Sequence, residues 1–135
     1  MWSPGNEPVR GVMASEAEIL EFAGASFRSV WALELLLMLR ASRERNWEPA
    51  EILKELRSSQ VAVVEALHNL IAAGLVVEED GARFRYNATG RLEDAVGALA
   101  QLYALKPAVV MRQIVNSPSN VKLQILSDAF RIKDE

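Results

Sequence analysis

A chain of 135 residues, half of them hydrophobic and 24% charged, carries enough apolar material for one core and sits within the usual size of a single domain. It has no cysteine, which excludes disulfides, thiolate catalysis and cysteine-based metal sites and fits a reducing compartment. A formal net charge of −3 at pH 7 does not announce a nucleic-acid binder, because polyanion recognition concentrates Lys and Arg on one face.

The N-terminal stretch MWSPGNEPVRGVMA has no basic region followed by an apolar block, so it does not read as a secretory signal. Its Pro, Gly and Asn predict a flexible lead-in over residues 1–14. The first helix signal follows at Ser15, with Glu18 three residues later in the capping-box arrangement. Ile19, Phe22 and Ala23 form the apolar side of this helix, and Gly24 is expected to end it, giving an N-terminal helix over 15–25.

A second helix is expected from Ser26 to Ser42. Its segment Val30 to Leu39 (VWALELLLML) is interrupted only by Glu34 and bracketed by Arg28 and Arg40. This falls well short of the ~20 apolar residues of a membrane span and reads as a buried helix, so no membrane partner is expected and the location is read as cytoplasmic. Such a helix is either the central element of the core or partly covered by another subunit. Trp31 could line a small-molecule pocket, though core and subunit interface explain it more simply. Arg40, Arg43 and Arg45 suit the negative C-terminal end of the helix.

Asn46 and Trp47 can form a short strand, with Trp47 a packing anchor at its edge. Pro49 fits the first position of a helix whose inner face is Ile52, Leu53 and Leu56. Arg57 and Ser58 make a tight connection, and Ser59 caps the next helix, Gln60 to Ala73, in which Val63, Ala66, Leu67 and Leu70 recur at helical spacing before Gly74 stops it. Leu75 to Val77 and Arg83 to Asn87 then read as two strands around an Asp80-Gly81 turn, with Phe84 and Tyr86 facing inward and Arg83 and Arg85 outward. Thr89 is expected to cap a helix from Arg91 to Ala104 with an apolar stripe of Leu92, Val96, Leu99, Leu102 and Tyr103. Pro107 opens another helix to Asn116, and Asn120 to Arg131 reads as a last amphipathic helix with Leu123, Leu126 and Phe130 on one side.

The segment ALHNLIAAGLVVEEDGARFRY, with Leu70 four residues before Gly74, then Leu75-Val76 and a hairpin ending in Tyr86, resembles the recognition helix and wing of bacterial winged-helix regulators, MarR-like in general layout. The resemblance covers roughly Ser26 to Ala104. It implies a mainly α fold with a small β-hairpin, a winged helix-turn-helix over 26–104 flanked by the N-terminal helix and a C-terminal helical extension over 105–135. It further implies a homodimeric transcriptional regulator of duplex DNA, with the recognition helix in the major groove. The candidate DNA contacts are then Arg57, Ser59, Gln60, Val64 and His68 around the recognition helix, and Arg83 and Arg85 on the wing.

Where regulators of this type carry a polar string resembling Ser-Thr-Val-Ser-Arg, this chain has Val61, Ala62, Val63, Val64 and Glu65. Apolar side chains can meet thymine methyls, but none of these residues donates to guanine or adenine. The alternative is a protein-interaction module that binds no DNA and docks a partner through Val61, Ala62 and Val64. The homodimer is also suggested by excess apolar surface on residues 15 to 23, 92 to 103 and 107 to 130. Arg83 and Arg85 could grip phosphates or simply form a solvated face beside Glu78, Glu79 and Asp80.

No enzyme is expected. His68 is the single histidine and has no metal-spaced cluster around it, so neither a metal nor another cofactor is implied. The acidic pairs Glu51/Glu55 and Glu93/Asp94 lie on helices, where solvated faces or salt bridges with Lys54 and Arg91 explain them. No nucleophile-and-base pair or glycine-rich phosphate loop accompanies them.

Overall fold

A computed structural model describes residues 15–117. The expected lead-in over 1–14 and the helix expected over Asn120 to Arg131 lie outside the described residues. Ser15 opens helix α1 (Glu16–Ser26) as anticipated: its hydroxyl accepts from the Glu18 N–H at 3.2 Å, and the Glu18 carboxylate accepts from the Ser15 N–H at 3.0 Å. Gly24 does not end this helix. It is a buried interior residue, and a side chain there would lie 3.2 Å from the Ser117 Cβ and 3.3 Å from the Gln113 amide. Its smallness serves the close approach of α1 to the last described helix. Gly24→Val is accordingly expected to destabilise by about 1–3 kcal/mol, read from the midpoint of urea denaturation.

Helix α2 (Val30–Ala41) begins four residues later than its sequence suggests. The reason is a corner at Phe27, whose extended backbone ends α1 and whose ring is 1% exposed. Ser29 then restarts the helix, its hydroxyl accepting from the Ala32 N–H at 3.1 Å. Ala32, Leu33, Leu35, Leu36 and Leu39 are all fully buried, so α2 is the central element of the core, while Trp31 remains 43% exposed at its start.

Trp47 forms a single antiparallel bridge with Phe84 in place of the expected strand, each N–H reaching the other's carbonyl at 2.8 Å. Helix α3 (Pro49–Leu56) has Pro49 at its first turn and buries Ile52. Arg57 closes it in the left-handed region, φ 55°. Helix α4 (Gln60–Ala72) starts at Ser59, whose hydroxyl accepts from the Ala62 N–H at 3.1 Å, and buries Val63, Ala66, Leu67 and Leu70 as their spacing requires. Gly74, at φ +78°, ends it.

Strands β1 (Val76–Glu79) and β2 (Arg83–Tyr86) pair antiparallel, with Val76 opposite Tyr86 and Glu79 opposite Arg83. Asp80 and Gly81 both adopt positive φ in the turn. Phe84 and Tyr86 point inward and are buried, and Arg83 and Arg85 lie on the outer side.

Helix α5 (Gly90–Leu105) follows. Thr89 occupies its cap position, but the hydroxyl makes no capping bond, and only the Thr89 carbonyl engages the helix, accepting from the Leu92 N–H at 3.1 Å. Helix α6 (Pro107–Val115) opens on its proline. Helices α1, α5 and α6 pack on one another and bury Ala23, Val96, Leu99, Leu102, Val110 and Ile114. Much of the apolar surface that suggested a second subunit is thus used within the chain, leaving Leu92, Leu105, Met111 and Val115 exposed. Tyr103 donates to Glu34 on α2, and burial, with help from that carboxylate, pushes its phenol up to about 12. The fold is mainly helical with one small antiparallel hairpin, and no single helix among the described residues is long and apolar enough to cross a membrane.

Candidate functional site

The outer face of α4 is set by what its inner face must bury. With Val63, Ala66, Leu67 and Leu70 turned to the core, helical geometry turns Val61, Val64, Glu65 and His68 outward. All four are exposed, Val61 at 66% and Val64 at 41%. Gln60 is exposed at the first turn, and Ser59 is committed to its cap. Arg57, exposed in the turn before it, donates its backbone N–H to the Leu53 carbonyl at 3.0 Å, while its guanidinium makes no ion pair or hydrogen bond among the described residues. The candidate residues Arg57, Ser59, Gln60, Val64 and His68 therefore share one continuous run of surface, with the acidic Glu65 in its middle.

The hairpin arginines belong to a different neighbourhood. Arg83 donates to the Asn46 side chain at 3.1 Å and to the Glu48 carboxylate at 3.0 Å, which ties it to the start of α3. Arg57 stands at the other end of that eight-residue helix, about 12 Å away at 1.5 Å per residue. Arg85 reaches Glu79 with Nε at 3.1 Å and Nη2 at 2.6 Å. That hydrogen-bonded guanidinium holds the Glu79 carboxyl below the usual carboxylate range, and Glu79 raises Arg85 in turn. No hydrogen bond or ion pair joins either arginine to α4 among the described residues.

The arginines at the end of α2 are also partnered, and not as the sequence suggests. Glu93 on α5 accepts from Arg40 at 2.9 Å and lies 3.4 Å from Arg43, while the Tyr86 hydroxyl donates to its other oxygen. Arg43 also lies over the Tyr86 ring, 5.4 Å from its centroid. Arg45 pairs with Glu51 at 3.1 Å and stacks on Trp47 at 3.7 Å from the ring centroid. Glu51 and Glu93 thus pair with these distant arginines instead of Lys54 and Arg91, their neighbours along the helix. Burial pushes the Glu93 carboxyl up, but the bonds from Arg40 and Tyr86 and the two guanidinium charges together bring it below its usual range. Burial and Glu93 push the Tyr86 phenol up.

Beside the α4 face lies a groove of about 680 Å³ between that helix and the α1–α2 corner, lined by Phe27, Arg28, Glu65, His68, Asn69 and Ala72 among others. Asn69 spans its floor, accepting from the Arg28 N–H at 2.8 Å and donating to the Ser26 carbonyl at 2.8 Å. Sequence reasoning passes over Asn69. Its only signal is an amide at the border between the buried and exposed sides of α4. Asn69→Ala is expected to cost about 1–2 kcal/mol and to speed amide exchange at Arg28, measured by hydrogen–deuterium exchange; unchanged exchange would mean that the corner holds without it. Among the described residues no group of three or more His, Cys, Asp or Glu could hold a metal ion. Comparisons with protein families, with curated proteins and with solved structures find no match to this chain.

Proposed function

We propose that the chain is a winged helix-turn-helix module and that the outer face of its recognition helix, α4, docks a protein. The order of elements supports the first half: two helices joined by the tight turn at Arg57, an antiparallel hairpin directly after the second, and the Trp47 bridge along the hairpin's edge. The observation that carries the second half is the exposure of Val61 and Val64 around the acidic Glu65, on a module whose hairpin arginines are each already paired with a carboxylate. An apolar surface with one acidic group suits a protein partner, and a phosphate surface would meet Glu65 unfavourably.

Duplex DNA is the second reading, favoured by Arg57. Its guanidinium has no carboxylate partner among the described residues and stands just before the N-terminus of α4, where backbone N–H groups also attract phosphate. One set of measurements decides between the two. Anisotropy titrations at low salt on random and genomic duplex fragments are expected to show no binding. A protein retained from the native lysate by the wild type should be lost with Val61→Glu/Val64→Glu and kept with Arg83→Ala/Arg85→Ala. Duplex binding whose log–log salt slope flattens by about 1.8 in the double alanine variant would replace this reading with DNA recognition.

A further inference from the structure

The side of α6 turned away from the core carries an apolar stripe, flanked by the exposed Arg112. Val110 and Ile114 are fully buried, while Ala108, Met111 and Val115 are exposed at a spacing of three and four residues, so they form one stripe. Leu105, 80% exposed, adds to it at the corner before Pro107. An apolar stripe of this kind at the end of a small domain calls for a cover.

The chain runs on from the end of α6 for 18 residues beyond Ser117, and their sequence mirrors the stripe. Leu123, Leu126 and Phe130 recur at a spacing of three and four, within the stretch Asn120 to Arg131 whose sequence reads as an amphipathic helix. Two antiparallel helices joined by a short connection match residues at equal distances from the turn. Counted from Ser119, Val115 and Leu123 lie four residues to either side, Met111 and Leu126 eight and seven, and Ala108 and Phe130 eleven each. Every apolar position on the exposed side of α6 therefore has an apolar counterpart in the right register. The connection Ser117-Pro118-Ser119 has the length of a helix-to-helix link, and its proline marks a break.

We propose that the exposed side of α6 is the docking surface for residues 120–131 of the same chain, which return along it antiparallel and set Leu123, Leu126 and Phe130 against Val115, Met111 and Ala108. Because the chain has no cysteine, the register can be read with introduced pairs in the full-length protein. Ala108→Cys/Phe130→Cys should oxidise to an intramolecular disulfide at least tenfold faster than Ala108→Cys/Leu123→Cys. In the proposed register Leu123 lies seven residues, about 10 Å, further along α6 from Ala108, beyond the ~7 Å Cα separation a disulfide tolerates. An unattached tail gives the opposite order, since the loop to Leu123 is shorter and closes more readily. Met111→Cys/Leu126→Cys serves as a second pair and should match the fast one. Three results overturn the proposal: faster closure to Leu123, no closure in either matched pair, or disulfide-linked dimers, which would seat a second copy on the stripe.

Discussion

Phe27→Ala is expected to lower the melting temperature by roughly 10–15 °C, the counterpart of about 3–5 kcal/mol for emptying an aromatic site in the core. The ring is 1% exposed and meets Phe22 edge-on, with centroids 6.1 Å apart and planes at 88°. It sits in the three-residue corner between α1 and α2, where the Phe27 N–H makes the last helical bond of α1, to the Ala23 carbonyl at 3.1 Å. Beyond that bond, two constraints keep the corner closed: the ring beneath it and the Asn69 side chain across it. Loss of the ring leaves a cavity that neither helix can fill without breaking its own cap. Phe22→Ala should cost less, because that side chain is only partly buried. Thermal denaturation followed by circular dichroism checks both. A shift below about 3 °C for Phe27→Ala would show that the corner relaxes into the space.

Glu93→Ala is expected to destabilise by about 2–3 kcal/mol, because it strips a buried hydroxyl and a half-buried guanidinium of their common acceptor. Arg40 on α2, Tyr86 on β2 and Glu93 on α5 meet there, and Arg43 adds a second charge. The pH dependence identifies the charge. The folded carboxyl lies below its unfolded value of about 4.3, so its contribution is complete above roughly pH 5 and is lost as pH falls through the folded value. Urea denaturation of the wild type should therefore show stability dropping below pH 5, and Glu93→Gln should flatten that drop while keeping part of the hydrogen bonding. An unchanged acid limb in Glu93→Gln would assign the effect to other carboxylates, Glu79 and Glu51 first, since both are also held low. On the alkaline side the raised Tyr86 and Tyr103 phenols contribute below pH 10, where the unfolded phenols are still neutral. That contribution is lost as pH rises through their folded values.

What the sequence discloses and what it hides divide by distance along the chain. The Ser15 capping box, the Ser59 cap, the Asp80-Gly81 turn and the inward Val63, Ala66, Leu67 and Leu70 depend on residues within a turn or two of one another, and all are as expected. Gly24 misleads because its role depends on Gln113 and Ser117, about ninety residues away, and local reasoning takes a glycine for a stop. The start of α2 misleads for a related reason, since only packing shows that Phe27 is more stable beneath a corner than inside a helix. The carboxylate partners of Arg40, Arg43 and Arg83 are the most consequential omission. Arg83 and Glu48 are 35 residues apart, and Arg40 and Glu93 are 53. Glu79, the partner of Arg85, is only six residues away and belongs to the acidic neighbourhood visible in the sequence, whereas a count of charges along the chain leaves Arg83 available. The apolar run at Val61, Ala62 and Val64 is visible in the sequence itself, and the exposure of Val61 and Val64 follows directly from the helical phase of α4.

The bridge between Trp47 and Phe84 has a bearing on how the hairpin opens. Two-stranded ribbons alone are marginal in water and fray within microseconds. Here the Phe84 N–H and carbonyl are both engaged by Trp47, while Arg83 is clamped to Glu48 one residue further on. The α2–α3 connection thus behaves as a third rail, and β2 cannot lift from the body without also releasing Trp47 and the start of α3. Amide exchange at Trp47 and Phe84 should then proceed with one shared opening free energy, well above that of the Asp80-Gly81 tip. A ligand that grips the hairpin would slow both amides together, carrying its effect to the start of α3 without touching it.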